Sequence, residues 1–361
     1  MTSTHNLQDT SADFARLEVM YEDHLAHDEI YQASLFWDKL NCLNIEWLRD
    51  DGLGNFKRTV NNNYFNWMVS TRSAYFRTVV GRYLRSLGRF PRRLWRILTA
   101  NIGEMWHRTY MSYTDKGTVL QRRLYALYVV ALDQFVRDHD EYGLYGALNE
   151  PTLGNPLSVR LGERQVSQDL ANSYLEYCFI RKSLGDAFNQ THVIAEIGAG
   201  YGRLAYMLHL LKQGVARKLI LVDLPPALMV SQWYLRNMFP SANRMEYRNF
   251  THFDEIREDF DCAEICFLLP HQLELLPDKS LDLLINVSSL QEMSRTQINH
   301  YYDLIDRKAR YFYTKQWLFW ENPEDKMQVP AIIYPTKPHW ELCSARVNPV
   351  HHEFFEALFK V

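Results

Sequence analysis

A chain of 361 residues that is 47% apolar holds enough core-forming material for two lobes or one large decorated domain, which excludes a disordered chain. Five cysteines (Cys42, Cys178, Cys262, Cys266 and Cys343), odd in number and without a C-x-x-C pair, argue against a disulfide framework or a zinc knuckle and fit a reducing cytoplasm. A net charge of −3 without an RNA- or DNA-binding motif argues against nucleic acid as a partner.

Residues 1–12 are polar and are expected to be disordered; the start lacks a signal peptide's basic and apolar regions, and no apolar run approaches a membrane span. From Phe14 to Leu48, apolar residues at helical spacing (Leu17, Met20, Tyr21, Leu25, then Leu35, Phe36, Leu40, Leu43) predict two or three helices, and Asp51–Asn55 a turn. From Gly52 to Gly103 there is no acid but ten basic residues: Lys57, Arg58, Arg72, Arg77, Arg82, Arg85, Arg89, Arg92, Arg93 and Arg96. Tyr64, Phe65, Trp67, Tyr75, Phe76, Tyr83, Phe90 and Trp95 are interleaved with them. This stretch reads as a helical lobe whose arginines pair with acids elsewhere, or as a surface for a phosphorylated acceptor or an anionic membrane.

Val119 to Val136 is an amphipathic helix, and the breakers from Tyr142 to Pro156 mark a boundary near residue 150 between an N-terminal helical lobe and a second unit, 151–361. Ser167 is placed to N-cap a helix running to Leu184. Then β and α patterns alternate: strands end at Ile197, Asp223, Leu269, Asn286 and Trp317, with helices from Leu204, Ala227 and Thr296 between them. Such alternation calls for a parallel sheet with helices on both faces. Prolines at 323, 330, 335 and 338 predict an irregular segment crossing the open edge of the site, before an antiparallel pair, Trp340–Val347 and Phe354–Val361.

The organising stretch is Val193 to Gly202. A short apolar strand carrying Glu196 turns through Gly198, Gly200 and Gly202 into a helix, so backbone N–H groups lie open to a ligand. The spacing differs from the G-x-G-x-x-G of dinucleotide sites, which argues against a nicotinamide oxidoreductase. Asp223 ends the next strand 21 residues after Gly202, where a carboxylate can accept both hydroxyl protons of a ribose; its alternative is to cap the helix that Pro225-Pro226 open.

Glu196 to Gly202 resembles motif I of the class I S-adenosylmethionine (SAM) methyltransferases. Over most of its length the chain resembles the SAM-dependent sugar O-methyltransferases, carried by Asn55–Val60, Tyr64–Trp67, Gly154–Pro156, Ser167–Asn172, Glu196–Leu204, Asp223–Pro225, Asn286–Met293 and Lys315–Trp317. The resemblance implies a Rossmann-like α/β sheet, parallel with a terminal antiparallel strand, behind an N-terminal helical lobe. It implies SAM as cofactor, held by Glu196, Gly198, Gly200, Gly202, Asp223, Leu224, Pro270, His271, Asn286 and Ser167. It also implies a sugar or glycan hydroxyl as acceptor; the basic 57–96 segment, read by itself, allows a phosphorylated or lipid-linked form of it and peripheral membrane contact.

Glu292, just past the fourth strand, is the first candidate for the base that takes the acceptor's proton, and His300 the second. Glu292 has an alternative role in capping the helix near Ser294, and His300 an alternative as a surface residue. Ser288, Arg203, Lys315 and Trp317 are placed on the acceptor side, although Arg203 at a solvated surface, Trp317 in the core and His271 as a plain loop residue are equally consistent with the pattern. His351-His352-Glu353 is too weak a ligand set for a metal. A non-catalytic SAM-fold subunit is the competing class, against which the intact glycine turn and Asp223 argue.

Overall fold

The computed structural model describes residues 11–60, 71–103, 106–109, 112–116, 118–323 and 326–361. Residues 1–10, with the disorder expected there, and Tyr64, Phe65 and Trp67 lie outside the described residues; residues 11 and 12, also expected to be disordered, instead open a helix. The N-terminal part is helical: α1 (Ser11–Leu25), α2 (Leu35–Asp51), α3 (Ala74–Leu87), α4 (Arg93–Thr99) and α5 (Val119–Asp138). Thr118 and Gln121 close α5 with a reciprocal capping box.

In the second part α6 (Gln168–Leu184) begins at the expected cap, where the Ser167 hydroxyl accepts the Leu170 N–H. The sheet strands are β1 (Val193–Ile197), β2 (Lys218–Val222), β3 (Arg244–Met245), β4 (Ile265–Leu268), β5 (Leu281–Val287), β6 (Ala309–Trp317), β7 (Glu341–Val347) and β8 (Phe354–Lys360). Between them lie α7 (Arg203–Leu210), α8 (Pro225–Met238), α9 (Arg257–Cys262), α10 (Gln272–Leu275) and α11 (Arg295–Lys308).

These strands form one sheet in the order β7-β8-β6-β5-β1-β2-β4-β3, parallel from β6 to β3, with β8 antiparallel to both β6 and β7. The expected fold class holds: a largely parallel α/β sheet ending in an antiparallel pair, joined to a helical part. Two-residue β3 carried no pattern of its own. Strand alternation sorts the core, with Ile194, Leu219 and Leu221 facing the layer that holds α5 to α8 and Ala195, Ile197, Ile220 and Val222 facing the layer of α11. Among the described residues no helix is long and apolar enough to cross a membrane.

The helical part is welded to the sheet. Arg236 of α8 binds Asp13 of α1 at 2.9 Å, and Tyr247 donates to Asp23 at 2.7 Å. Much of the basic segment is spent internally: Lys57 pairs with Glu150 at 2.6 Å, Arg58 donates to the Asn155 carbonyl at 2.7 Å, Arg93 reaches Asp138 at 2.8 Å and Arg96 binds Asp133. Asn55–Val60 and Gly154–Pro156, two of the elements that carry the resemblance, thus bind each other, with Asn155 Nδ2 donating to Asn55 Oδ1 at 2.8 Å.

Candidate functional site

From β1 the chain builds outward to β2 and β4 on one side, then returns to β5 on the other. Where the strand order reverses, adjacent connections diverge and leave a crevice beyond the carboxyl ends of the strands. The glycine turn sits there. Gly198 has φ +71°, and a Cβ on it would lie 2.3 Å from Ser289 Oγ, so only glycine lets the two loops approach this closely. Its N–H is held by the Val222 carbonyl at 2.9 Å, which fixes the turn against the end of β2.

A cavity opens over this turn. Its floor is Gly198, Gly200, Asp223 and Leu224; one wall is the loop after β5, with Ser288, Ser289 and Glu292; Pro270 closes the far side. The cover is Tyr31, Gln32, Ser34, Trp37 and Asn41 from the start of α2 and the link before it. The proline-rich stretch 318–340, expected to cross the open edge, contributes no lining residue among its described residues and instead packs on the sheet through Tyr334 and the strand pair Phe319–Glu321 and Gln328–Pro330. That correction has a physical source: apolar helix α2 and its link reach the edge from a distant part of the chain, and nothing local announces it.

Asp223 and Glu292 are the only charged residues among the described residues that line the cavity. Asp223 accepts the Gly200 N–H at 2.7 Å and the Leu224 N–H at 2.7 Å. Removal from water pushes its carboxyl up to about 7 against the pull of those two donors. Glu292 accepts from Trp37 Nε1 at 2.8 Å. Its carboxyl is pushed up to about 8, chiefly by loss of water and secondarily by the charge of Asp223, with the Trp37 bond opposing. Ser288 holds φ +57°, a conformation a non-glycine residue keeps only under constraint, and its hydroxyl oxygen, out of solvent contact, has no hydrogen-bond partner among the described residues.

Of the residues read from sequence, Gly198, Gly200, Asp223, Leu224, Pro270, Ser288 and Glu292 line this one cavity. The others stand behind or away from it. Gly202 caps α7 at φ +82°, and Glu196 lies in β1, 6% exposed, with Oε2 unpartnered among the described residues and its carboxyl pushed up to about 8 by burial. Asn286 is a brace, donating to the Ile197 carbonyl at 2.8 Å and accepting the Leu290 N–H, so it holds the loop after β5 in place. Ser167 binds Glu150 at 2.7 Å on the far side of α6.

Five placements are corrected. Arg203 and Lys315, expected at the acceptor, both bind the buried Glu176 of α6, at 2.6 and 2.8 Å. A charge leaving water needs such a partner, and α6 supplies one that the local pattern could not reveal. Trp317 packs on Phe354, ring centroids 4.6 Å apart, outside the cavity. His300 packs edge-on against Tyr31, 3.8 Å from Glu274, and does not line the cavity. His271 turns away from the cavity that its neighbour Pro270 lines and packs on α1 and His27.

Sequence reasoning missed Trp37 and Tyr31. Their only local signal is an aromatic pair around Ser34, the residue before α2.

No protein-family model matches the chain, and no curated protein does. Among solved structures, the chain is similar to a SAM-dependent methyltransferase from Aquifex aeolicus (13% identity, 52% of this chain and 98% of that one, TM-score 0.30). It is similar to phosphoethanolamine N-methyltransferase 1 of Haemonchus contortus, solved with phosphoethanolamine and S-adenosylhomocysteine (12%, 64% and 49%, TM-score 0.32). A third is the mitomycin 7-O-methyltransferase MmcR (13%, 54% and 56%, TM-score 0.32). At these scores and identities no substrate or chemistry carries over to this chain.

Proposed function

We propose that the chain is a SAM-dependent O-methyltransferase that methylates a hydroxyl of a sugar or glycan. The observation that carries this reading is the cavity at the switch point, whose charged lining among the described residues is two carboxylates, Asp223 and Glu292, and no cation. Carboxylates without a cation favour a cationic ligand, whose charge draws their protons off, and disfavour the pyrophosphate of a dinucleotide. The residues present fit SAM: Gly198 and Gly200 allow close backbone approach, and Asp223 retains acceptor capacity for a ribose diol beside its two backbone bonds.

SAM supplies a methyl group on a sulfonium, a leaving group that is already activated. What remains for the chain is to exclude water, orient the acceptor and take its proton. The cover of Tyr31 to Asn41 does the first. Glu292, fixed by Trp37 and raised towards neutrality, accepts the hydroxyl proton as the oxygen–carbon bond forms and the carbon–sulfur bond breaks. In this reading residues 1–150 shape the acceptor side and 151–361 hold SAM, and exposed Cys42, Cys262 and Cys343 fit a reducing cytoplasm.

A lipid-linked acceptor is favoured by one observation. Phe90, Leu94, Trp95 and Leu98 are exposed, Trp95 by 67%, beside the exposed Arg85, Arg89 and Arg92. An apolar patch rimmed by arginine suits an anionic membrane surface.

The deciding experiment is calorimetric titration of the purified chain with SAM and with NADH, followed by transfer of labelled methyl from SAM to sugar, nucleotide-sugar and lipid-linked glycan acceptors. SAM binding with label in a glycan is the expected result. NADH binding, or no SAM binding, overturns the reading.

A further inference from the structure

Behind Pro270, on the side away from the cavity, lies a cluster that methyl transfer does not use. His271 is 4% exposed, and neither of its ring nitrogens makes a hydrogen bond among the described residues. Its Nε2 lies 3.4 Å from Asp23 Oδ2, while Asp23 Oδ1 lies 3.4 Å from Nε2 of His27 one helical turn on. The two imidazole rings stack, centroids 3.6 Å apart and 17° from parallel. One potential donor atom from each of the three residues falls within 4.8 Å of the other two.

An imidazole buried with both nitrogens idle is costly, so this arrangement needs a reason. An imidazole nitrogen offers a lone pair to a metal ion. His27 Nε2 and His271 Nε2 each lie 3.4 Å from their own oxygen of Asp23, near the spacing of about 3.3 Å between two ligands of one ion with bonds of about 2.0–2.1 Å, so one carboxylate spans both rings.

Two imidazoles and a carboxylate are a donor set suited to zinc and its neighbours rather than to magnesium or calcium. An outer shell is in place as well. Tyr247 Oη donates to Asp23 Oδ2 at 2.7 Å and Asn249 Nδ2 to Oδ1 at 2.9 Å, which orients the carboxylate towards the rings.

We propose that Asp23, His27 and His271 form a binding site for one divalent transition-metal ion of the zinc class. Such an ion joins the end of α1 to the residue after the cavity-lining Pro270. His27 begins the link that runs on to the cover at Tyr31 to Trp37, so a metal here pins the cover to the wall of the cavity. None of the three residues lines the cavity; they act as positioning residues. The half-exposed His27 leaves the fourth coordination position to water.

The test is titration of the full chain, stripped with a chelator, with Co²⁺ by visible absorption and with Zn²⁺ by calorimetry. One equivalent should bind, with the absorption of tetrahedral Co²⁺, displacement by Zn²⁺ and a raised thermal midpoint. Since loss of an outer-shell partner alone weakens metal about 10- to 100-fold, His27→Ala and His271→Gln should each weaken binding at least about tenfold. His27→Ala alters a side chain that is 38% exposed and keeps the test valid if His271→Gln fails to fold. No stoichiometric uptake by the wild type, or uptake unchanged in His27→Ala, overturns the proposal. SAM titrated into the same stripped protein reads the methyltransferase proposal separately, because the Co²⁺ signal does not depend on it.

Discussion

Trp37 Nε1 donates a 2.8 Å hydrogen bond to Glu292 Oε2, joining α2 to a carboxylate 255 residues further along the chain. The bond fixes the carboxylate's direction and opposes the loss of water that pushes it up to about 8. Glu292→Gln keeps the shape and removes the proton acceptor, so turnover should fall about 10²- to 10⁴-fold, far more than SAM affinity. In the wild type kcat should rise with pH through about 8, as Glu292 loses its proton, and that limb should vanish in Glu292→Gln. Trp37→Phe should move the limb to higher pH, since a bond that favours the charged form is lost. Steady-state rates across pH check all three; unchanged turnover in Glu292→Gln removes it as the base.

Asp223→Ala should weaken SAM by about 1.5–3 kcal/mol, the range for hydrogen bonds to a charged group. Part of the loss is indirect, because the Gly200 N–H also loses its partner. Calorimetry reads the affinity, and circular dichroism separates it from misfolding. Unaltered affinity places the ribose elsewhere.

The ligand-free protein should lose stability as pH rises across neutrality. Burial holds Glu196 up to about 8, Asp223 up to about 7 and Glu292 up to about 8, all above an unfolded carboxyl at about 4. Protons retained by the folded state favour it below the unfolded value, and that contribution is lost as pH rises through 7 to 8. Asp133 and Glu176, held low by their cationic partners despite burial, change stability only at acid pH. Buried His24 and His271, held down to about 4, oppose this trend below an unfolded imidazole at about 6.5, so the thermal midpoint should fall between about pH 7 and 8, less steeply in Glu196→Gln. A midpoint that climbs over this window contradicts the assignment.

Glu176→Gln should destabilise the fold by about 3–5 kcal/mol, since Arg203 and Lys315 then share a core site without a countercharge. Denaturant unfolding measures the loss. SAM affinity per folded molecule should be unchanged, because none of the three residues lines the cavity.

The glycine turn, Asp223 and the βα order were legible because each is written in neighbouring residues: strand period, turn glycine, acid at a strand end. Arg203, Lys315 and Trp317 were misplaced because a strand or helix end tells where a residue sits along an element, not which partner claims its side chain. Glu176 claims the first two from α6, and Phe354 the third from β8. His271 was expected beside the ligand for the same reason: Pro270 and His271 share a loop but face opposite ways. The cover from Tyr31 to Asn41 was invisible because it depends on contacts such as Gln297 Nε2 with the Gln32 carbonyl at 2.8 Å, 265 residues apart.

The sign of the cavity also bears on turnover after the chemical step. If SAM is the ligand, its sulfonium enters facing Asp223 and Glu292, while transfer leaves a neutral thioether and delivers a proton to Glu292. Attraction is then strongest before the reaction and weakest after it, so the spent donor departs more readily than the fresh one. The same two carboxylates that recruit the donor thereby limit inhibition by its product.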